Sequence, residues 1–161
     1  MKFEKILQKM KPYEYKMSIH ICIIVLSMEQ KLKISSKTDS LHLVEKFVDD
    51  LSSDYNIEHD VYGNLLIAAL EAANNAITHG NKLNEDKQVE IVFAKGSNEI
   101  VLTVKDEGFG FDYQHIPDPT SPENLENMSG RGVFLMSKLS DKIEFENNGS
   151  FVKMTFFLLK K

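Results

Sequence analysis

HDVYGNLLIAALEAANNAITHGN, residues 59–81, is the stretch whose reading decides the fold. Leu66, Leu70, Ala73 and Ile77 recur at helical spacing and make an apolar stripe. Ala68, Ala69, Ala72, Ala73 and Ala76 favour helix and permit close packing. The pattern predicts a helix that starts near His59 or Asp60, runs to His79 and stops at Gly80 and Asn81. Glu71, Asn75 and His79 follow one another four residues apart, so they share one polar stripe of that helix. Read alone, such a stripe is equally a solvated helix face.

Working outward, KLKIS (residues 31–35) alternates polar and apolar and reads as a strand. Leu41, Val44, Phe47, Val48 and Leu51 predict a helix with Thr38 or Asp39 as N-cap, broken by Ser52, Ser53, Asp54 and Asn56. Downstream, Val89, Ile91 and Phe93 alternate, as do Ile100, Leu102 and Val104, with Gly96, Ser97 and Asn98 between them; this is a hairpin pattern. Residues 106–129 are irregular and hold all but one of the four prolines, and loops of that length in compact domains are usually functional lids. A further helix is expected from Gly130–Gly132, carrying Val133, Leu135, Met136 and Leu139. Strands Lys142–Glu146 and Phe151–Leu159 follow, with Asn147, Asn148 and Gly149 in the turn.

Composition narrows the function. At 161 residues, 42% hydrophobic and 27% charged, the chain fits one globular domain able to bury a core without metals or disulfides. A net charge of -5 supplies no global field to attract nucleic acid or an anionic membrane. Cys22 is the single cysteine, which rules out an internal disulfide and a cysteine-based zinc site and fits a reducing cytoplasm. The five histidines (His20, His42, His59, His79 and His115) are not closely paired as in metal sites. Met17–Ser27, MSIHICIIVLS, is apolar but shorter than the roughly 18 residues a membrane span needs, and no small-residue cleavage site follows it. It reads as an extra strand or helix, or as an extension ahead of Met28. Residues 1–27 are therefore taken as an extension and residues 28–161 as the domain.

Two glycine-bearing motifs join the polar stripe. DEGFGFD (Asp106–Asp112) directly follows a strand, and its two spaced glycines let a turn approach a ligand closely. SGRG (Ser129–Gly132) precedes an apolar helix, whose N-terminus attracts anions through free N–H groups. No GxxxxGK[ST] loop, GxSxG elbow or catalytic loop of eukaryotic-type protein kinases is present.

In this order, EAANNAITHGN (Glu71–Asn81), DEGFGFD (Asp106–Asp112) and SGRGVFLMSKLSDKIEF (Ser129–Phe145) resemble the ATPase superfamily of gyrase, heat-shock chaperones, histidine kinases and mismatch-repair proteins. Within it, the chain looks most like the small anti-sigma-factor serine kinases, from about Met28 onward. The resemblance implies an α/β (α+β) two-layer sandwich, its mixed, mostly antiparallel sheet covered on one face by helices. It implies ATP and magnesium as cofactors, with Asn75 as the metal ligand, Glu71 as the catalytic carboxylate and Asp106 as the acid that accepts from the adenine amino group. Gly108 and Gly110 would pass under the base, and Gly130 and Gly132 would hinge the lid and present amides to the phosphates. Arg131 is either a phosphate contact or a solvent-exposed arginine, and His79 either touches phosphate or satisfies the helix end. Lys82 is a further candidate for a phosphate contact; Asn74 points about 100° away from Asn75 and reads as structural.

The implied activity is phosphoryl transfer to a serine of an anti-anti-sigma partner. The added charge would expel that partner and free the kinase to hold a sigma factor. A cytoplasmic homodimer without direct nucleic-acid or membrane contact goes with the resemblance. A nucleotide-switched binding module without transfer, or an ATPase subunit of a larger machine, would carry the same site. The extension and the lid sequence Tyr113–Met128 have no counterpart in the family pattern.

Overall fold

The computed structural model describes residues 28–111, 113 and 130–158. The expectations for Met17–Ser27, for most of the lid and for the last residues of the final strand lie outside these. Five strands, β1 (Met28–Ser35), β2 (Gln88–Lys95), β3 (Glu99–Lys105), β4 (Lys142–Glu146) and β5 (Phe151–Phe157), form one sheet in the order β1-β2-β3-β5-β4. Among the described residues every pairing is antiparallel, where the sequence reading expected a mixed, mostly antiparallel sheet. The chain leaves β3, crosses through a helix to the outer edge as β4, and turns back so that β5 enters between β3 and β4. That insertion separates β3 from β4, the two strands that would otherwise run parallel.

Alternation sets the face. Val89, Ile91 and Phe93 of β2, Ile100, Leu102 and Val104 of β3, and Val152, Met154 and Phe156 of β5 are buried, and the register lines them up across the sheet: Phe93 opposes Leu102, which opposes Met154. Three helices cover this face: α1 (Leu41–Tyr55), α2 (His59–Asn75) and α3 (Arg131–Leu139). α2 lies between the other two and packs on both. Its Ala68, Ala69, Ala72 and Ala73 are at most 2% exposed, so small side chains let it settle deep in the layer. The opposite sheet face carries cross-strand ion pairs such as Lys33–Glu90 and Lys153–Glu144, which as surface pairs add little. Cohesion comes from the helix-covered face, at about 1.5–3 kcal/mol for each large apolar side chain buried.

Three helix boundaries differ from the sequence reading. A 3-10 turn at Thr38–Ser40 precedes α1, and neither Thr38 nor Asp39 caps it; the N-cap is Ser40, without a side-chain cap bond. Nor do Ser52, Ser53 and Asp54 break α1. The Ser53 hydroxyl bonds back to Asp49 O at 3.1 Å, and the helix ends only at Asn56, in the left-handed conformation with φ 50°. α2 is α-helical to Asn75 and continues as a π turn, Ala76–Gly80. There the Thr78 hydroxyl bonds to Asn74 O at 2.6 Å and Asn81 N–H bonds to Ala76 O at 2.8 Å, a five-residue step. Such widened turns concentrate at functional sites.

Leu102→Ala should destabilise the domain by about 2–5 kcal/mol, the range for deleting a fully buried leucine side chain. Denaturant unfolding checks this, and an unchanged midpoint would contradict the core just described.

Candidate functional site

The C-terminal end of α2, the C-terminal end of β3 and the N-terminus of α3 converge at one end of the sheet. Asp106 follows the last residue of β3, and its N–H donates to Ser150 O at 3.0 Å, fixing it beside the start of β5. The residue is 8% exposed, and Oδ1 accepts from Gly108 N–H at 2.7 Å. The π turn brings Gly80 onto this carboxylate: a Cβ on Gly80 would lie 2.6 Å from both Asp106 oxygens. A Cβ on Gly108 would lie 2.6 Å from the Gly80 carbonyl carbon. Two chain segments thus touch main chain to main chain, a separation that no side chain at either position would permit. Burial pushes the Asp106 carboxyl above the ordinary range, against the opposing pull of the Gly108 N–H and the Lys87 charge.

Glu71 and Asn75, one turn apart in the α-helical part of α2, face the start of α3. A Cβ on Gly132 would stand 2.8 Å from Glu71 Oε2 and 3.0 Å from Asn75 Nδ2. Gly130, with φ 83°, takes the left-handed conformation that swings the chain into α3 and supplies no side-chain cap. The N-terminal end of α3 thus stands beside Glu71 and Asn75, with the positive end of its helix dipole facing them. The structure brings Glu71, Asn75 and Gly132 into one cluster and Asp106, Gly108 and Gly80 into another, joined by the five residues of the π turn.

The remaining candidates stand further out. His79 is exposed on the π turn, whose wider pitch shifts it around the axis from where an α-helix would carry it. Arg131 is exposed in the first turn of α3, and Lys82 is exposed with φ 55°. Gly110, with φ 80°, backs onto the β4–β5 turn, where a Cβ would meet Asn148. Phe111 N–H bonds to Asn148 O at 2.7 Å, and the Phe111 and Tyr113 rings pack on Phe145 with centroids 5.8 and 5.1 Å away. This packing leads the chain out of the site, with Phe109 94% exposed at its rim. A cavity of about 80 Å³ lined by Val61, Asn64, Lys138 and Asp141 lies at the other end of α2 and is too small for a nucleotide.

Sequence reasoning took Gly80 and Asn81 only as helix stops. The signal for Gly80 was its place after a long helix and ahead of the Asp106 turn; nothing local marks its contact with a residue 26 positions on. Chemically, the two clusters suit a purine nucleotide with a hard cation. A desolvated carboxylate can accept from an exocyclic amine, an amide oxygen can bind a divalent ion, and a helix N-terminus favours phosphate oxygens.

Residues 34–156 match the family model described as the histidine kinase-like ATPase domain. The chain is 27% identical over 135 residues to the serine-protein kinase RsbW of Bacillus subtilis strain 168, covering 80% of this chain and 84% of the relative. It is 24% identical over 139 residues to the protein of the same name from Staphylococcus aureus strain Newman, covering 81% and 87%. Among solved structures it is similar to the RsbU and RsbW domains of a Mycobacterium tuberculosis protein, with a TM-score of 0.53 and 13% identity. That match covers 80% of this chain but only 31% of the other, and it speaks for the fold alone.

Asp106→Asn keeps an acceptor for Gly108 N–H and removes a buried charge. A raised carboxyl pKa means that the native state binds protons more tightly than the unfolded chain. The stability gained by protonation is fully present below the ordinary aspartate value of 3.8 and is lost as pH rises through the folded pKa. The variant should therefore melt at the wild-type temperature or above at pH 7, with a flatter dependence between pH 4 and neutrality. A clear loss of melting temperature at pH 7 would contradict this account of the carboxyl.

Proposed function

Because the chain belongs to the histidine kinase-like ATPase domain family, we propose that it is an ATP-dependent anti-sigma factor and serine-protein kinase. Its substrate is a serine of an anti-anti-sigma protein, its other partner is a sigma factor, and it works as a cytoplasmic homodimer. The observation that carries this reading is the close approach of Gly132 to both Glu71 and Asn75, at the same end of the sheet as Asp106. Similarity to serine-protein kinases along four-fifths of the chain supports the choice of reaction.

Bound here, ATP supplies the phosphoryl group and a magnesium ion neutralises its phosphates. Asp106 accepts from the adenine amino group; guanine presents a carbonyl at that place, which a carboxylate repels. Gly108 leaves the base room above the turn, and Gly110 carries the chain past it to the β4–β5 turn. Asn75 offers its side-chain oxygen to the metal ion. Gly130 and Gly132 keep side chains away from the first N–H groups of α3, which hold phosphate oxygens, and Arg131 and His79 add donors at the rim. Glu71, one turn before Asn75, aligns the partner's serine hydroxyl and takes up its proton as the oxygen attacks.

Labelled ATP incubated with the chain and a candidate anti-anti-sigma protein should give a phosphoserine on that protein. Nucleotide binding without transfer would instead make the chain a switch module. Glu71→Ala should bind ATP within about threefold of wild type and lose transfer by about 10²–10⁴-fold, the usual contribution of a general base. Full activity in that variant would reject the assignment. Asn75→Ala should lose the magnesium-dependent part of ATP binding, as read by calorimetry with and without the metal.

A further inference from the structure

Asn81 is 2% exposed, and its amide is fully engaged by three segments of the chain. Nδ2 donates to Ser36 Oγ at 2.8 Å just past β1, and to Gln88 O at 2.9 Å at the start of β2. Oδ1 accepts from Glu107 N–H at 2.8 Å, one residue after Asp106. The carbonyl of Glu107 is held as well, accepting from Lys87 Nζ at 3.0 Å.

These bonds pin two consecutive peptide groups. Asn81 fixes the 106–107 peptide through its N–H, and Lys87 fixes the 107–108 peptide through its C=O. In a planar trans peptide the N–H points opposite to the C=O. Holding Glu107 O on Lys87 therefore turns Gly108 N–H the other way, where it donates to Asp106 Oδ1 at 2.7 Å. The aim of the Asp106 carboxylate thus depends on side chains from the loop between the π turn and β2.

That loop is held under strain. Lys82 and Leu83 both have positive φ, 55° and 56°, a left-handed conformation that is unfavourable for residues with a side chain. Such strain persists only where the surroundings dictate it. Leu83 N–H to Ile77 O at 2.8 Å, Asn84 N–H to Asn81 O at 3.1 Å and Lys87 N–H to Asn84 O at 3.0 Å tie the loop down. The strained path is what allows Asn81 to point inward while Lys87 returns to the same peptide.

We propose that Asn81 and Lys87 are positioning residues for purine selection, gripping the main chain of Glu107 from both sides and so aiming the Asp106 carboxylate at the base. This rests on the reading of Asp106 as the group that accepts from the base. The buried amide and the lysine act through Asp106 and need not touch the nucleotide.

The test is the ratio of GTP to ATP dissociation constants, measured by calorimetry with magnesium on the full chain. Asn81→Ala and Lys87→Met should each lower that ratio roughly tenfold. Lys87→Arg, which keeps a donor for Glu107 O, should retain it. Val44→Ala, in the core under α1, serves as a destabilised control, with a lower melting temperature and an unchanged ratio. A merely structural role for Asn81 would weaken ATP and GTP binding alike and leave the ratio at its wild-type value, which would overturn the proposal. Lys87→Met alters a partly exposed side chain and decides the matter should Asn81→Ala fail to fold; an unchanged ratio there also overturns it. Wild-type protein without purine preference, or Asp106→Asn with the full preference, would overturn the reading of Asp106 itself and the positioning role with it.

Discussion

The site depends on a main-chain contact: the carbonyl end of the π turn at Gly80 rests against Gly108 and the Asp106 carboxylate. Everything else follows from how that contact is reached. α2 must end at the height of the β3 terminus, so its small-residue face sinks toward the sheet. Its last turn must widen, because an α-helical turn would carry the chain along the axis without opening toward β3. The contact in turn desolvates Asp106 and raises its carboxyl pKa against the pull of Gly108 N–H and Lys87. Asn81 and Lys87 stand just beyond it and hold the neighbouring peptides in place.

The fold was largely legible. Period-two alternation in β2 and β3 names their core residues directly, because burial on one face leaves little choice of register. The stripe read for α2 was half right: Ala73 and Ile77 are buried, but Leu66 and Leu70 are only partly so, and Leu65 takes the core position beside them. The boundaries of α1 were not. Serine and aspartate in its last turn look like breakers, yet Ser53 returns its hydroxyl to the helix and Asn56 supplies the left-handed stop. Local propensity gave way there to side chain–backbone bonding that depends on the exact turn. The all-antiparallel sheet could not be read locally either, since it follows from β5 inserting between two strands.

The candidate site was legible as residue types and in its order, and the geometry supplies what spacing could not. Glu71 and Asn75 at an interval of four predict a shared face, and Gly132 meets them there. His79, at the same interval, belongs to a widened turn, and helical periodicity loses its meaning across such a turn. Asn81 illustrates the other limit. Its partners lie 45, 7 and 26 residues away, and a single asparagine after a helix carries no mark of them.

The placement of β5 has a consequence for how the domain is made. Among the described residues it comes after β4 in the chain, yet it pairs with β3 inside the sheet, and the Ser150 carbonyl just before it anchors Asp106. During synthesis β1, α1, α2, β2 and β3 emerge with the β3 edge unpaired. The end of the sheet where Asp106 sits is completed only after residues 151–157 have cleared the ribosome. A chain stalled before that point would present an open, apolar-faced strand edge to its neighbours, so late emergence of one strand is the step at which this protein is most exposed to aggregation or to chaperones.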